Sequence, residues 1–429
     1  MIGLKALPPK YGGFETAADE IGRRLVESGH HVTVYNRSGQ SSHPGKDYKG
    51  IELVTLPTLR SKHLSSIVHS FLCSLHCLSK NVDLVHYFIT GNTLFAPIPR
   101  LFGKKIVCSV DGADWQRKKW GWFARSYLRL SERLAAWFCH GLIADSIDVA
   151  RYYKEKYTAN TVFIPYGMRE DCSEGTEYLE RYGVFDKQYV LFVGRLVPEN
   201  NVHLLVAAFS HVKTNKKLII VGDDPWGKKY IHSLKSTRDD RIIYTGGIYG
   251  DGYEQLQKGA YLFVLPDEVG GTHPSLVEAM GFGNCVLVND TPSNLEVVGD
   301  AGFSYRGSEG AEDLRRQLQF LIDNPQIVEE YKVKAKRHAL AHYRWDRVVQ
   351  AHLELYHRVL ARITPDRKTA ADDKLRKQPG CAPLHQQGGH EEANEAVYER
   401  ADSAIADTGR EGESYGDPQG AGDQRADVL

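Results

Sequence analysis

A pair of glycines stands between a short apolar segment and an amphipathic helix near the beginning of the chain. The stretch reads PPKYGGFETAADEIGRRLVESGHHVTVYNR, and Gly12 and Gly13 precede the predicted helix. A helix N-terminus offers unpaired N–H groups and a positive dipole end, and glycines permit a ligand to approach closely. A tight turn without a ligand fits the pattern equally well. Because the stretch is neither G-x-G-x-x-G nor a phosphate loop ending in Gly-Lys-Ser/Thr, it supports neither a dehydrogenase nor a nucleotide hydrolase.

Two segments in the second half of the chain place polar groups directly after predicted strands. In VGRLVPENN, Arg195 follows a strand and a glycine, and its planar guanidinium suits phosphate oxygens. A surface pair with Glu199 is the alternative. In GGTHPSLVEAMGFG, Gly271 precedes a helix that begins near Pro274. Glu278, one turn into that helix, either accepts hydrogen bonds from ribose hydroxyls or complements the helix dipole.

Charged residues also follow the predicted strand KIVCSV in the first half. Asp111, Asp114 and Arg117 lie there, at an edge where polar side chains are placed to contact sugar hydroxyls. A solvated loop is the alternative. His86, at the end of DLVHYF, is predicted to be a packed or capping histidine rather than a sugar ligand.

The order of predicted elements indicates the fold that must position these residues. MIGLKAL is predicted as a short first strand, and the helix after the glycines runs to about Ser28. Strands and helices then alternate, and the alternation begins again at QYVLFVGRL. Such a series predicts parallel sheets covered on both faces. Because these folds bind ligands at the carboxyl edge of the sheet, two facing domains predict one ligand held between them.

The predicted domain boundaries follow changes in composition. The polar stretch 169–183 is predicted to be a linker, and the chain after 363 contains almost no large apolar residues. The predicted parts are an N-terminal domain (1–170), a C-terminal domain (171–345), a helix that packs back on the N-terminal domain (346–363) and a disordered tail (364–429).

Composition and charge exclude several classes of protein. The 429 residues carry no formal net charge, which argues against nucleic acid as a partner. Seven scattered cysteines favour a reduced, cytoplasmic chain. The sequence shows neither an apolar run long enough to span a membrane nor a signal-peptide pattern.

One segment nevertheless has the composition of a membrane-surface helix. The stretch RKKWGWFARSYLRLSERLAAWF interleaves cations with aromatic residues, and residues 1–171 hold about eight more Lys and Arg than Asp and Glu. A basic aromatic helix binds anionic membrane surfaces. An ordinary amphipathic helix packed on the sheet is the alternative.

Taken together, PPKYGGFET, DGADWQRKKW, VGRLVPENN and GGTHPSLVEAMGFGNCVLVNDTPSNLEVVGDAG resemble glycosyltransferase family 4, in particular its rhamnosyltransferase-like branch of bacterial capsule and exopolysaccharide biosynthesis. The resemblance covers roughly residues 1–360. It implies the α/β fold called GT-B, in which two Rossmann-like domains face a central cleft. It also implies a metal-independent hexosyltransferase without a cofactor that retains the anomeric configuration.

The resemblance further implies the substrates and the location. The donor is a nucleotide-diphospho-sugar linked to dTDP, UDP or GDP, and rhamnose is a candidate sugar. The acceptor is a lipid-linked saccharide or an oligosaccharide. An enzyme of this kind is expected in the cytoplasm, peripherally bound to the inner face of the plasma membrane.

Site residues are carried over by position. The implied donor site comprises Gly12, Gly13, Arg195, Asn200, Gly271, Thr272, Pro274, Ser275, Leu276 and Glu278. Arg195 is expected on the diphosphate and Glu278 on the ribose, with VGDD and YTGGI flanking the base. The implied acceptor site comprises Phe14, Glu15, Asp111, Asp114 and Arg117. Arg195, Glu278 and Asp111 are the implied catalytic positions, and no metal ligand is implied.

The chain departs from the family pattern at three positions. Asn200 replaces a lysine, Gly270 replaces the first of two glutamates, and Asp111 stands where many members have a histidine. The missing lysine, a short first strand and the added tail keep a second hypothesis open, a sugar-nucleotide-binding scaffold without turnover. A GT-B sugar-nucleotide epimerase is a third hypothesis. Release of nucleoside diphosphate that depends on an acceptor would separate them.

Overall fold

The computed structural model describes residues 1–9, 12–41, 43–59, 61, 64–112, 114–116, 120–169, 174–224 and 227–361. Two predictions, the acceptor role of Arg117 and the disordered tail 364–429, lie outside the described residues. Asp114 begins a single 3-10 turn, Asp114–Gln116.

The first half of the chain forms a parallel α/β domain. Its strands are β1 (Thr33–Arg37), β2 (Asp47–Tyr48), β3 (Ile51–Leu56), β4 (Leu84–Phe88), β5 (Lys105–Val110), β6 (Gly141–Ala144) and β7 (Val162–Phe163). Its helices are α1 (Gly13–Glu27), α2 (Leu64–His76), α3 (Pro97–Leu101), α4 (Trp122–Phe138) and α5 (Ile147–Tyr157). β1 pairs in parallel with β3, and β4 to β7 form a parallel sheet in chain order. Only the short β2 is antiparallel to its neighbour.

The segment Met1–Leu7 joins these two groups of strands, but the prediction of a regular strand there is wrong. Its one β-bridge pairs Ile2 with Tyr87 of β4. On the other side, Arg37 N–H at the end of β1 donates to Lys5 O at 2.8 Å. Gly3 interrupts the ladder because its φ is 106°, a conformation that few other residues adopt. The segment therefore lies centrally in the domain and leaves the sheet early.

The second half forms the other parallel domain. Its strands are β8 (Tyr189–Val193), β9 (Lys217–Val221), β10 (Ile242–Gly246), β11 (Leu262–Leu265), β12 (Cys285–Asn289) and β13 (Phe303–Tyr305), in the sheet order β10-β9-β8-β11-β12-β13. Its helices are α6 (Glu177–Arg181), α7 (Val202–Ser210), α8 (Lys228–Lys235), α9 (Asp251–Lys258), α10 (Pro274–Gly281), α11 (Pro292–Val298), α12 (Ala311–Asp323) and α13 (Pro325–His342). The predicted linker thus contains α6, whose Leu179 is buried in the core of this domain.

A final helix, α14 (Trp345–Ala361), packs on the core of the N-terminal domain. Trp345, Val348 and Leu355 are buried among apolar residues of that domain, including Ile21 of α1 and Ile143 of β6. Each side chain removed from water in this way contributes about 1.5–3 kcal/mol. The chain therefore crosses back after completing the second domain. The predicted architecture of two parallel α/β domains is confirmed.

Candidate active site between the two domains

The N-termini of α1 and α10 meet in the cleft between the domains. Gly12 caps α1 with a φ of 111°, and Gly13 is the first residue of the helix. A Cβ on Gly13 would come within 2.7 Å of Pro274 Cγ, at the first position of α10. Because the first N–H groups of a helix have no partner within it, two sets of donors converge on one space. This arrangement suits an anionic ligand.

The loop before α10 contacts Asp145, a residue that the sequence analysis did not single out. Thr272 Oγ1 donates to Asp145 O at 2.5 Å, and a Cβ on Gly271 would overlap the Asp145 carboxylate. Burial and, to a smaller extent, the negative charge of Asp111 together raise the pKa of Asp145 to about 8. The signal was present in GLIADS, since Asp145 directly follows a predicted strand as Asp111 does.

Asp111 lies beside Asp145 at the same edge of the N-terminal sheet. The two residues follow β5 and β6, which are adjacent and parallel. Asp111 Oδ1 accepts a hydrogen bond from Thr90 N–H at 3.1 Å. Because the carboxyl ends of parallel strands share one edge, the fold brings together two acids that are 34 positions apart in the sequence. The edge faces the loop before α10 in the other domain.

Glu278 is buried, with 6% of its surface exposed, and it has protein partners. Its Oε1 lies 3.4 Å from Arg169 Nε, and its Oε2 accepts a hydrogen bond from the Tyr253 hydroxyl. Arg169 also pairs with Glu254 at 2.9 Å. Burial raises the pKa of Glu278, while the Arg169 charge and the Tyr253 hydrogen bond oppose that shift. The sequence did not reveal Arg169 or Tyr253, because nothing in their local patterns marks them as partners of Glu278.

Arg195 lies at the carboxyl end of β8, which is the neighbour of β11 in the sheet. The loop that leads to Pro274 follows β11, so the two segments lie at adjacent positions along one edge. Within the described part of the chain, the Arg195 guanidinium has neither a hydrogen bond nor an ion pair, so the alternative pair with Glu199 is not observed. The side chain is partly exposed and accessible to a ligand.

Other predicted donor residues differ in what they present to the cleft. The Leu276 side chain is fully buried in the core, which leaves only its backbone for a ligand. Ser275 is partly exposed. Asn200 is 6% exposed, and its Nδ2 lies close to Gly194, the residue before Arg195.

The predicted acceptor residues of α1 have internal partners. The Phe14 ring packs edge-on against Phe88 and Tyr166, with centroid distances of 6.2 and 6.1 Å. Glu15 is 6% exposed, and its Oε1 accepts a hydrogen bond from Lys5 N–H at 2.9 Å. In this conformation both side chains therefore stabilise the glycine loop of the N-terminal domain.

An open depression adjoins the VGDD segment that was predicted to flank the base. It has a volume of about 320 Å³ and is lined by Asp223, Asp224, Lys228, Ile231, His232 and Lys235. That volume is in the range of small-molecule sites.

His86 lies in the core and not in the cleft. Its Nδ1 and Nε2 form hydrogen bonds with the Tyr356 hydroxyl at 2.7 Å and the Ser109 hydroxyl at 2.8 Å. Burial holds the pKa of His86 well below its ordinary value. The histidine therefore helps to attach α14, which carries Tyr356, to the sheet.

Two family descriptions match successive parts of the chain. Residues 177–338 match the sequence model of Glycosyl transferases group 1, and residues 1–169 match a domain of unknown function, DUF1972. The second match corresponds to the domain that contributes Gly13 and Asp145. The first corresponds to the domain that contributes Arg195 and Glu278.

Similar curated proteins include several glycosyltransferases. The O-antigen chain mannosyltransferase B of Escherichia coli is 29% identical over 158 residues, which are 35% of this chain and 40% of the relative. The N-acetylgalactosamine-N,N'-diacetylbacillosaminyl-diphospho-undecaprenol 4-alpha-N-acetylgalactosaminyltransferase of Campylobacter jejuni is 27% identical over 169 residues, 39% of this chain and 46% of the relative. The chain thus spans less than half the length of these two relatives.

Solved structures with the same fold cover most of both chains. Sucrose-phosphate synthase from Thermosynechococcus elongatus has a TM-score of 0.71 at 16% identity, over 84% of this chain and 96% of that one. The Anabaena protein HepE, solved with UDP and glucose, has a TM-score of 0.68 at 17% identity, over 83% of this chain and 98% of that one. The predicted GT-B fold is confirmed, and the second domain is the part of the chain that matches the Glycosyl transferases group 1 model.

Proposed function

We propose that this GT-B protein is a glycosyltransferase that moves a sugar from a nucleotide-diphospho-sugar to a saccharide acceptor during the synthesis of a cell-surface polysaccharide. One observation carries the proposal: the helix N-termini at Gly13 and Pro274 converge in a cleft beside the edge that holds Arg195. A diphosphate that leaves with negative charge is stabilised by donors fixed in advance at that place. The Glycosyl transferases group 1 match over 177–338 supports the class of reaction.

The donor is a sugar linked to UDP, dTDP or GDP. The Anabaena structure with UDP and glucose supports this choice. Arg195 and the backbone around Thr272 to Leu276 hold the diphosphate, and Glu278 accepts hydrogen bonds from the ribose. Side chains and helix ends neutralise the leaving group, so the reaction requires neither a metal ion nor an organic cofactor. Glu278 must turn from its partners Arg169 and Tyr253 or share its oxygens with the ribose.

The acceptor is a lipid-linked saccharide or a growing oligosaccharide, bound at the edge of the N-terminal sheet near Asp111. The Campylobacter relative, whose name contains diphospho-undecaprenol, supports a lipid-linked acceptor. The motifs of the chain favour glycosyltransferase family 4 and its rhamnosyltransferase-like branch, with rhamnose as the candidate sugar, capsule or exopolysaccharide as the product and retention of the anomeric configuration.

The surface of α4 supports a membrane location. One face of this helix packs on the domain through Ser131, Glu132 and Ala135, as the amphipathic alternative predicts. The opposite side exposes an aromatic patch, defined as Trp122 (81% exposed), Phe123 (77%) and Trp137 (66%). No helix among the described residues is long and apolar enough to cross a bilayer. We propose peripheral binding of the aromatic patch to anionic lipid at the cytoplasmic face of the plasma membrane.

The test is a transfer assay with UDP-, dTDP- and GDP-sugars, each with and without undecaprenyl-diphosphate-linked saccharides. We expect nucleoside diphosphate release with one donor only when an acceptor is present, and a product heavier by one sugar in mass spectrometry. Binding without release would instead support the scaffold hypothesis. Conversion of the donor sugar without an acceptor would support the epimerase hypothesis.

A further inference from the structure

We propose that Lys5 and Arg37 form a second phosphate-binding site on the N-terminal side of the cleft, opposite Arg195. Both residues lie in the domain that matches DUF1972, outside the glycosyl transferases group 1 domain. The inference rests on the proposed function only for the identity of the phosphate compound that enters the site.

Arg37 is a buried cation that forms no direct ion pair in the described structure; burial lowers its pKa, and the nearby Glu15 carboxylate only partly opposes that shift. It is the last residue of β1, is 8% exposed, and its Nε is buried without an acceptor. Its guanidinium forms neither a hydrogen bond nor an ion pair with any described residue. A guanidinium removed from water without such a partner is costly unless an anion binds it. The site therefore has the electrostatic character of an anion site.

Lys5 lies beside Arg37 because their backbones are joined. Arg37 N–H donates to Lys5 O at 2.8 Å, and Lys5 N–H donates to Glu15 Oε1 at 2.9 Å. These bonds tie the end of β1 to the segment before the glycine loop. Because Glu15 also lies against Gly12, the two cations belong to the group of residues that forms the N-terminus of α1.

The charges near Lys5 come from both domains. Partial burial lowers the pKa of the Lys5 ammonium, and the positive charges of Arg37 and Arg195 lower it further. The Glu15 and Asp224 carboxylates raise it. The charges of Lys5, Arg37 and Arg195 therefore act on one another near the place where the domains meet. An added oxyanion would stabilise all three cations.

The chemistry favours a phosphate group. The arginine fork can donate two parallel hydrogen bonds to phosphate oxygens, and a lysine ammonium adds a flexible point charge. Asn200 also stands where the resembled family has a lysine, so the C-terminal domain lacks one cation. Lys5 would supply that charge from the opposite domain. The phosphate belongs either to the nucleotide-sugar donor or to a lipid-linked acceptor, and binding experiments distinguish the two sources.

The experiment measures phosphate binding by titration calorimetry in the full chain. The two test variants are Lys5→Gln and Arg37→Lys, and the second keeps the charge but loses the planar fork of donors. The control is Lys46→Gln, at an exposed lysine of the same domain. The probes are UDP, inorganic pyrophosphate and farnesyl phosphate. We expect Lys5→Gln and Arg37→Lys each to weaken the binding of at least one probe about tenfold. Lys46→Gln should weaken the binding of none.

The probes whose binding is weakened identify the source of the phosphate. Loss of UDP and pyrophosphate binding assigns the site to the donor, and loss confined to farnesyl phosphate assigns it to the acceptor. The proposal is overturned if the wild-type chain binds none of the probes, or if both variants bind all of them as the wild type does. If thermal melting shows that Arg37→Lys is not folded, the Lys5→Gln variant alone provides the test, because Lys5 is exposed. A wild-type chain that transfers no sugar would contradict the proposed function. The phosphate site would still be supported if the variants weakened phosphate binding in that chain.

Discussion

Gly13 at the N-terminus of α1 lies directly against Pro274 at the N-terminus of α10, and no side chain fits between them. A Cβ on Gly13 would come within 2.7 Å of Pro274 Cγ. Glycine at position 13 is therefore required by the close contact. Its backbone conformation is ordinary helix, in which alanine is favoured. The position joins a residue of one domain to a residue of the other at the predicted donor site.

Gly13→Ala should reduce sugar transfer by about tenfold to a hundredfold, because a displacement of about 1 Å at a reaction centre has effects of that size. The melting temperature should change little, since alanine favours the helix. Steady-state kinetics and thermal melting measure the two effects. Gly121→Ala is the control, because that glycine caps α4 with open space around it. Equal kinetics for Gly13→Ala and the wild type would show that the helix N-termini move apart freely.

Arg195→Ala should weaken nucleoside diphosphate binding about tenfold or more. Hydrogen bonds to charged groups contribute roughly 1.5–3 kcal/mol, and the described structure offers this guanidinium no protein partner to lose. Calorimetry with UDP, dTDP and GDP is the measurement, and Arg238→Ala at an exposed position is the control. A folded Arg195→Ala protein with wild-type affinity would exclude a diphosphate role.

Arg169→Ala should destabilise the fold by about 1–3 kcal/mol, because it leaves the buried Glu278 carboxylate without its cation. The loss should be smaller in the Arg169→Ala/Glu278→Gln double variant, since a neutral amide needs no counter-ion. Urea unfolding of the four proteins of this cycle gives the coupling free energy. Strictly additive effects would mean that the 3.4 Å contact contributes nothing to stability.

Glu278→Gln should weaken binding of free nucleoside diphosphate as well as slow turnover. A ribose-binding carboxylate acts in both the free nucleotide complex and the reaction, whereas a proton shuttle acts only in the reaction. Calorimetry beside steady-state kinetics distinguishes the two roles. Preserved nucleotide affinity with reduced turnover would reject the ribose assignment.

Asp145→Asn should flatten the pH dependence of stability. The pKa of about 8 lies above the ordinary value of 3.8, so the folded state retains a proton that the unfolded state releases. The stabilisation from this proton is complete below the unfolded pKa and is lost as the pH rises to about 8. The wild-type melting temperature should therefore fall between about pH 5 and pH 8, and less steeply in Asp145→Asn.

Two comparisons make this measurement specific. Glu296, whose pKa is raised to about 7 by burial, contributes in the same direction and is still present in Asp145→Asn, so part of the slope should remain. Asp83→Asn, at an exposed position of the same domain, should keep the wild-type slope. Parallel melting curves for Asp145→Asn and the wild type would refute the raised pKa.

The sequence by itself determined the alternation of strands and helices, the two domains and the segments that carry the cleft. These features depend on local periodicity and on which residue types follow a strand, so Gly13, Arg195 and Glu278 could each be proposed as site residues from their own segments. His86 was also predicted correctly to be packed, because a histidine inside an apolar strand usually finds a buried partner.

Only the tertiary structure decided which distant groups meet. Asp145 contacts Thr272 across 127 positions, Arg169 reaches Glu278 across 109, and α14 returns to cover the first domain. No local pattern records such pairs, since they depend on how two sheets are placed relative to each other. Glu15 shows the same limit: its position in the family pattern implied an acceptor ligand, but burial and the hydrogen bond from Lys5 N–H hold it within the protein. Side-chain chemistry is local, whereas desolvation and the partners that offset it are properties of the complete fold.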